Sequence, residues 1–233
     1  MEALLAFAAA LLAFRFAGEL AARWRERRRP ELLAWSASLL TYALASGALA
    51  WGAAAGWGDA AFRLYYLFGG LLTAVLLGAG SLLFAGRRWA APVAIAYAGL
   101  AVGLVLAEPL AAPVGGTTIP EAQAHLDVFP VRIVAIVGNS LGTIAVVAVA
   151  LATLRARPLG NALVVAGTAV AAGGTAVAGL GAAPTAAFVA LAVVLLYAGF
   201  LGLSGLPLRR PASGGSASST RPASYPTHSS SRP

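Results

Sequence analysis

The sequence predicts an all-α, polytopic membrane protein of seven transmembrane helices, with its amino terminus outside and its carboxyl terminus in the cytoplasm. Three observations carry that expectation. Hydrophobic residues make up 60% of the chain and charged residues 10%, with a mean hydropathy of +0.83, whereas a soluble domain has about a quarter of its residues charged. Seven apolar stretches are long enough to cross a hydrocarbon core about 30 Å thick, which takes roughly 20 helical residues. Arg residues gather in alternate connections, the pattern that follows when basic loops stay on the cytoplasmic side.

The first helix is expected near residues 3–22. Glu2 precedes it and Arg23, Arg25, Arg27, Arg28 and Arg29 follow, the reverse of a signal peptide's charge order, so it is expected to stay attached with its far end inside. The second, near 32–55, runs outward and the third, near 63–85, returns to Arg87 and Arg88. The fourth, near 89–107, leads to an outer stretch. The fifth, near 131–154, ends at Arg155 and Arg157, and the sixth and seventh, near 160–181 and 185–206, end before Arg209 and Arg210. The other connections carry Asp59, Glu121 and Asp127 or no charge. Trp24, Trp35 and Trp89 fall at the inner boundary, and Trp57, Tyr65, Tyr66 and Phe129 near the outer one, where amphipathic rings prefer to sit. Residues 1–206 thus form one transmembrane domain. Residues 207–233, rich in Pro, Ser and Arg, cannot bury enough apolar surface to offset the entropy of ordering, and a disordered, basic cytoplasmic tail is expected. Arg209-Arg210-Pro211-Ala212-Ser213 within it has the form of a basic-directed phosphorylation site, beside the plainer reading of a membrane-attracted tail.

Lipid offers no hydrophobic contrast between helices, so close approach at small residues must hold them together. Gly70, Ala74 and Gly78 line the third helix, Gly138 and Gly142 the fifth, and Gly167, Ala171, Thr175 and Gly179 the sixth. These faces serve packing within the chain or a seam to another membrane protein, and the oligomeric state stays open. A shift of 69 positions superposes Arg63 on Arg132, Gly69 on Gly138 and Arg88 on Arg157, a faint match between helices three to four and five to six that either a tandem duplication or the biased composition produces.

Composition also excludes functions. All sixteen basic residues are Arg, and without Lys there is no amine for a retinal Schiff base. With no Cys there is no disulfide, thiolate metal site or iron–sulfur cluster. His125 and His228 lie outside the apolar stretches, which removes a haem held by two His in the bundle. No cofactor is expected. The net charge of +8 sets topology between apolar runs and does not form a nucleic-acid face; the lipid bilayer is the expected partner, in a plasma or inner cell membrane.

Polar chemistry concentrates between Glu108 and Thr143. Asn139, flanked by Ser140 and Thr143, needs a hydrogen-bonding partner inside the fifth helix, either a neighbouring helix or a ligand. Arg63 and Arg132 enter the third and fifth helices from outside, against the positive-inside trend; Asp59, Glu108 and Asp127 or lipid phosphates are their expected counter-charges. Thr118-Ile119-Pro120-Glu121 matches a capping box, predicting a short outer surface helix near 119–127 ended by Pro130, with Ile119, Ala122, Leu126 and Phe129 toward the membrane. His125, Asp127 and Glu108 could share one region, but a single His does not make a metal site. Arg15 and Glu19, one turn apart in the first helix, are expected to form an intramembrane ion pair or to snorkel inward, with a gate or ion-coupling pair as the sharper alternative.

No Ser–base pair or deep carboxylate pair is present, so a catalytic constellation is absent from the membrane segments. The leading function class is a small-molecule transporter or ligand-sensing protein with an outward cavity between the third, fourth, fifth and sixth helices, using Asn139, Arg132, Arg63 and Glu108. Against it, the sequence shows no broken helix and no midplane acid. The alternatives are a non-catalytic accessory or scaffold subunit of a membrane complex, and an enzyme acting at the outer surface through Glu108, Asp127 and His125.

Overall fold

The computed structural model describes residues 2–176 and 182–204, and the regular structure among them is helical, with no strand. Five of these helices are long and apolar enough to cross a membrane: α1 (Glu2–Arg27), α2 (Pro30–Ala55), α3 (Asp59–Phe84), α4 (Ala90–Ala107) and α6 (Val128–Ala152). A single turn, α5 (Ala122–His125), lies between α4 and α6. Two further apolar helices follow, α7 (Pro158–Ala176) and α8 (Ala182–Ser204). The end of the predicted sixth helix, residues 205–206 of the seventh and the 207–233 tail lie outside the described residues.

Helix boundaries follow local chemistry more closely than hydropathy. α1 continues past residue 22 to Arg27 because Arg is a good helix former and its charge in the last turn favours the free carbonyls there. The break comes at Arg28, with φ +52°, and Pro30 opens α2 as its first residue. α3 begins four residues earlier than hydropathy suggests, at Asp59, whose carboxylate suits the first turn. It ends on Gly86, whose φ of +84° lets Arg87 N–H reach the Leu82 carbonyl and Gly86 N–H the Leu83 carbonyl, 2.9 Å each.

Inside α3, residues Tyr66–Leu72 form a π-helical segment, an irregularity absent from the sequence reading. α6 is irregular at its start: Phe129 is extended (φ −113°, ψ 136°) and is followed by a cis peptide to Pro130. The predicted outer helix of residues 119–127 is reduced to the four residues of α5. Glu121 is the residue before its first turn and makes no side-chain cap, so the Thr118–Glu121 capping box does not form. Two proline positions, Pro113 and Pro120, and the glycine pair Gly115-Gly116, with φ +89° at Gly116, leave too short a run to nucleate more helix.

α3 lies between α2 and α6; α1 packs on α2 and α8, α7 packs on α8, and α4 sits at the edge against α3. Small residues make the α3–α6 contact so close that a Cβ on Gly78 would stand 2.7 Å from Gly142 Cα. Gly138 receives the Tyr97 ring and Gly167 the Leu196 side chain. Gly78, Gly138, Gly142 and Gly167 are therefore used for packing within the chain, and Gly179 lies outside the described residues. Gly70 and Asn139, equivalent under the 69-residue shift, touch directly.

Two tryptophans expected at the membrane boundaries are core residues. Trp35 is 1% exposed and stacks on Phe200 at 4.4 Å, and Trp57 lies 5% exposed over Gly52. Glycine at positions 52 and 80 leaves the space these rings fill. Trp89, by contrast, is 56% exposed.

Contacts sort the connections into two ends. The Arg157 guanidinium lies over the Phe84 ring at the end of α3, and burial together with the nearby Arg29 charge lowers its pKa from the ordinary value. That places the turns after α1, α3 and α6 together. At the other end Trp57 N–H donates to the Gly116 carbonyl (2.8 Å), and Phe62 meets the His125 ring edge-on. One end thus gathers Arg23 to Arg29, Arg87, Arg88, Arg155 and Arg157, and the other Asp59, Glu108, Glu121 and Asp127.

Candidate functional site

The π segment organises the polar interior. A π turn adds a residue to the helix and weakens its regular ladder, so carbonyls become available to side chains from outside the helix. Two groups use carbonyls of the segment itself. Asn139 Nδ2 on α6 donates to the Gly70 carbonyl at 2.7 Å. The Thr73 hydroxyl turns back on the Phe68 carbonyl at 2.7 Å. On the α2 side, Ser38 Oγ donates to the Thr73 carbonyl at 2.9 Å, Thr41 Oγ1 donates to the Ser38 carbonyl at 2.7 Å, and the Thr41 and Thr73 hydroxyl oxygens stand 3.0 Å apart. Thr41, Thr73 and Asn139 each fall near the middle of their helices, and Ser38, Thr41 and Thr73 are buried. Irregular backbone at such a position is sustainable only where protein or a polar cavity satisfies it.

Asn139 therefore takes the neighbouring-helix partner, and no open cavity is needed to satisfy its amide. The sequence missed Ser38, Thr41 and Thr73. Their signal was present: Ser38 and Thr41 are one turn apart on the α2 face that also buries Ala45, which packs against Gly69 of the π segment.

The four residues expected at an outer mouth are only partly brought together. Arg63 donates from Nη2 to the Glu108 carbonyl at 2.8 Å and from Nη1 to the Val105 carbonyl. The expected counter-charge, the Glu108 carboxylate, is not the acceptor. The last carbonyls of α4 lack partners within the helix and carry its negative dipole end, so a fork of guanidinium donors suits them. The side chain of Arg132, half-buried in the first turn of α6, has no hydrogen bond or ion pair among the described residues. His125 Nδ1 lies 3.2 Å from the Ala112 carbonyl, and its own carbonyl accepts from Ala111 N–H at 3.0 Å. It thus folds the outer connection on itself, and no group of three or more His, Cys, Asp or Glu suited to a metal occurs among the described residues.

In the second half of α1, Arg15 Nε meets Glu19 Oε1 at 3.2 Å. The other carboxylate oxygen accepts from the Tyr197 hydroxyl of α8, and Tyr197 stacks on Phe16 with ring centroids 3.9 Å apart. This ties the first long helix to the last, a contact that no local pattern discloses. Tyr197→Phe keeps the stack and removes only the hydroxyl, and is expected to cost about 1 kcal/mol of stability. Thermal unfolding in detergent checks it: a variant as stable as the parent means the bond contributes nothing.

A buried charge was also missed. Glu31 is 5% exposed in the first turn of α2 and pairs with Arg29 Nε at 2.7 Å. Nearby, Asn161 Nδ2 donates to Thr153 Oγ1 at 2.9 Å, closing the turn between α6 and α7. These contacts fasten the basic end of the bundle.

The chain matches no protein-family model, and no curated protein and no solved structure is detectably similar to it.

Proposed function

We propose that the protein is a seven-helix integral membrane transporter or ligand-sensing protein of the cell membrane, and that the π segment of α3 with Ser38, Thr41, Thr73 and Asn139 is its working element. The observation that carries this reading is the π segment itself. A helix that turns π at mid-length, with side chains of two neighbouring helices on its carbonyls, is the kind of local irregularity that recurs at functional positions.

In this reading α7 and α8 cross the membrane with the five longer helices. The clustering of Arg-bearing turns at one end supports an inside assignment for that end, with the amino terminus outside and the carboxyl terminus in the cytoplasm. Asn139 bridges the π segment to α6 in the closed form, and its amide passes to a small polar ligand on opening. Arg63, Arg132 and Glu108 lie on the outward side of that path, beneath the packed outer connection. With a panel of small polar solutes in proteoliposomes, Asn139→Ala is expected to lower uptake or ligand-induced stabilisation at least tenfold while the protein still folds. Unchanged uptake and binding in that variant would remove the π segment from the mechanism.

A second reading, an accessory subunit of a membrane complex, is favoured by one feature. α4 presents Gly99 and Gly103 at four-residue spacing on an exposed face, with nothing within 4 Å of either, the spacing at which transmembrane helices approach closely. Gly99→Leu is expected to release a co-purifying membrane partner in native mass spectrometry; recovery of a partner-free monomer from native membranes would count against the subunit reading.

A further inference from the structure

We infer that the second half of α1 carries a binding site for a lipid headgroup that joins a phosphate to a primary ammonium, that of a phosphatidylethanolamine. Glu19, Ala22, Arg23, Glu26 and Arg27 line an open bowl of about 420 Å³. Ala22 is its floor and the four long side chains are its walls, since residues three and four apart share one helix face. The charges are only partly spent on one another. Glu19 accepts from Arg15 on one carboxylate oxygen and from Tyr197 on the other. Arg23 and Glu26 stand one turn apart with opposite charges, and the side chain of neither has a hydrogen bond or ion pair among the described residues. The bowl therefore presents a cation and an anion side by side.

Charge complementarity names the occupant. A phosphate suits the Arg23 guanidinium, whose planar donors match its oxygens. An ammonium that still carries N–H donors suits the Glu26 carboxylate, which only accepts. The two residues are separated by about 4.5 Å along the helix axis, a gap that the two-carbon ethanolamine link spans. A headgroup with a phosphate alone would set a like charge against Glu26. A quaternary ammonium has no N–H to give and is held instead by aromatic rings, none of which lines the bowl. The acyl chains have a path as well. Leu4, Leu11 and Gly18 fall on the helical line through Ala22, with Phe7 and Phe14 beside it. Leu4, Phe7, Leu11 and Phe14 are each more than half exposed, and a Cβ on Gly18 would meet nothing within 4 Å. Arg15, also on that line, is drawn onto Glu19. An apolar track thus leads into a two-signed bowl near the Arg-bearing turns, the level at which a headgroup meets the end of a spanning helix. The inference rests on α1 crossing a bilayer and on no part of the transport or sensing reading.

Native mass spectrometry of the purified, delipidated full chain tests it. The probes are phosphatidylethanolamine, phosphatidylcholine and phosphatidylglycerol with matched acyl chains, and glycerophosphoethanolamine, the headgroup without chains. Phosphatidylethanolamine is expected to bind about tenfold more tightly than either other lipid, the ratio that one hydrogen bond to a charged group provides, and the chainless headgroup not at all. Glu26→Gln is expected to bring phosphatidylethanolamine down to the level of phosphatidylglycerol, and Arg23→Gln to weaken all three lipids together. Equal binding of the three lipids, a preference that survives in Glu26→Gln, unchanged lipid binding in Arg23→Gln, or a chainless headgroup that binds as tightly as the lipid would each overturn the site. So would an adduct seen only after residues 207–233 are removed, which would make the tail the occupant. Uptake is read separately: a selective adduct without Asn139-dependent uptake sinks the transport reading alone, and Asn139-dependent uptake without lipid selectivity sinks the headgroup site alone.

Discussion

Gly142→Ala is expected to be among the most damaging single-methyl additions to this chain. A Cβ at position 142 would stand 2.3 Å from the Ala74 carbonyl oxygen, 2.6 Å from its carbon and 3.0 Å from Val75 N. All three are backbone atoms of α3, so no rotamer change relieves the clash and the two helices must separate. Forcing extra volume into a packed contact costs about 1–3 kcal/mol, and Leu at the same position should cost more. The damage extends beyond stability: Asn139 is one turn from Gly142 on α6, and its 2.7 Å bond to Gly70 is the first to lengthen as α6 moves away. Thermal or denaturant unfolding in detergent should show a loss for Gly142→Ala. Gly47→Ala is the matched control, since nothing lies within 4 Å of Gly47 and Ala is the better helix former by about 0.5–1 kcal/mol. Equal stability in the two variants would mean that α3 and α6 do not meet at this closeness.

The long helices were legible because length and apolar composition can be read directly from the sequence, and the gathering of Arg-bearing turns at one end was legible because Arg falls in alternate connections. What sequence could not supply was anything defined by backbone. The π segment differs from an α-helix by one residue's worth of hydrogen bonding, and Tyr66–Leu72 reads as an ordinary apolar stretch; Thr73, Asn139 and their partners take up its carbonyls only once three helices have assembled. Carbonyl acceptors have no sequence identity either, so Arg63 was expected to meet a carboxylate or a lipid phosphate. Trp35 and Trp57 were placed at the membrane surface because their ends of the helices lie there; the glycines at 80 and 52 that receive the rings are distant in sequence or easily read as lipid-facing. Asn139 was legible, since a lone amide in an apolar helix must find a partner, and so was the Arg15–Glu19 pair, fixed by helical spacing. Its third member, Tyr197, is 178 residues from Glu19 and lies beyond any local rule.

Arg63→Ala should loosen α4 more than any change on α4 itself. That helix is the most peripheral of the long ones, with Val93, Ile95, Leu100 and Leu106 each more than half exposed, so few side-chain contacts hold its outer end. Arg63 holds it from α3 by donating to the carbonyls of Val105 and Glu108. A hydrogen bond from a charged donor contributes about 1.5–3 kcal/mol, and the α4 carbonyls left unpaired add their own desolvation cost. Lysine has no planar fork to span two carbonyls, so Arg63→Lys is expected to recover less than half of the loss. The decisive comparison is Glu108→Gln, which keeps the carbonyl and removes only the charge. It should behave as the parent, whereas a carboxylate ion pair would make it as damaging as Arg63→Ala. Because the chain has no Cys, Val105→Cys, at a side chain only 5% exposed, reports the opening through its rate of alkylation by a polar reagent. That rate should rise in Arg63→Ala, rise less in Arg63→Lys and stay at the parental value in Glu108→Gln.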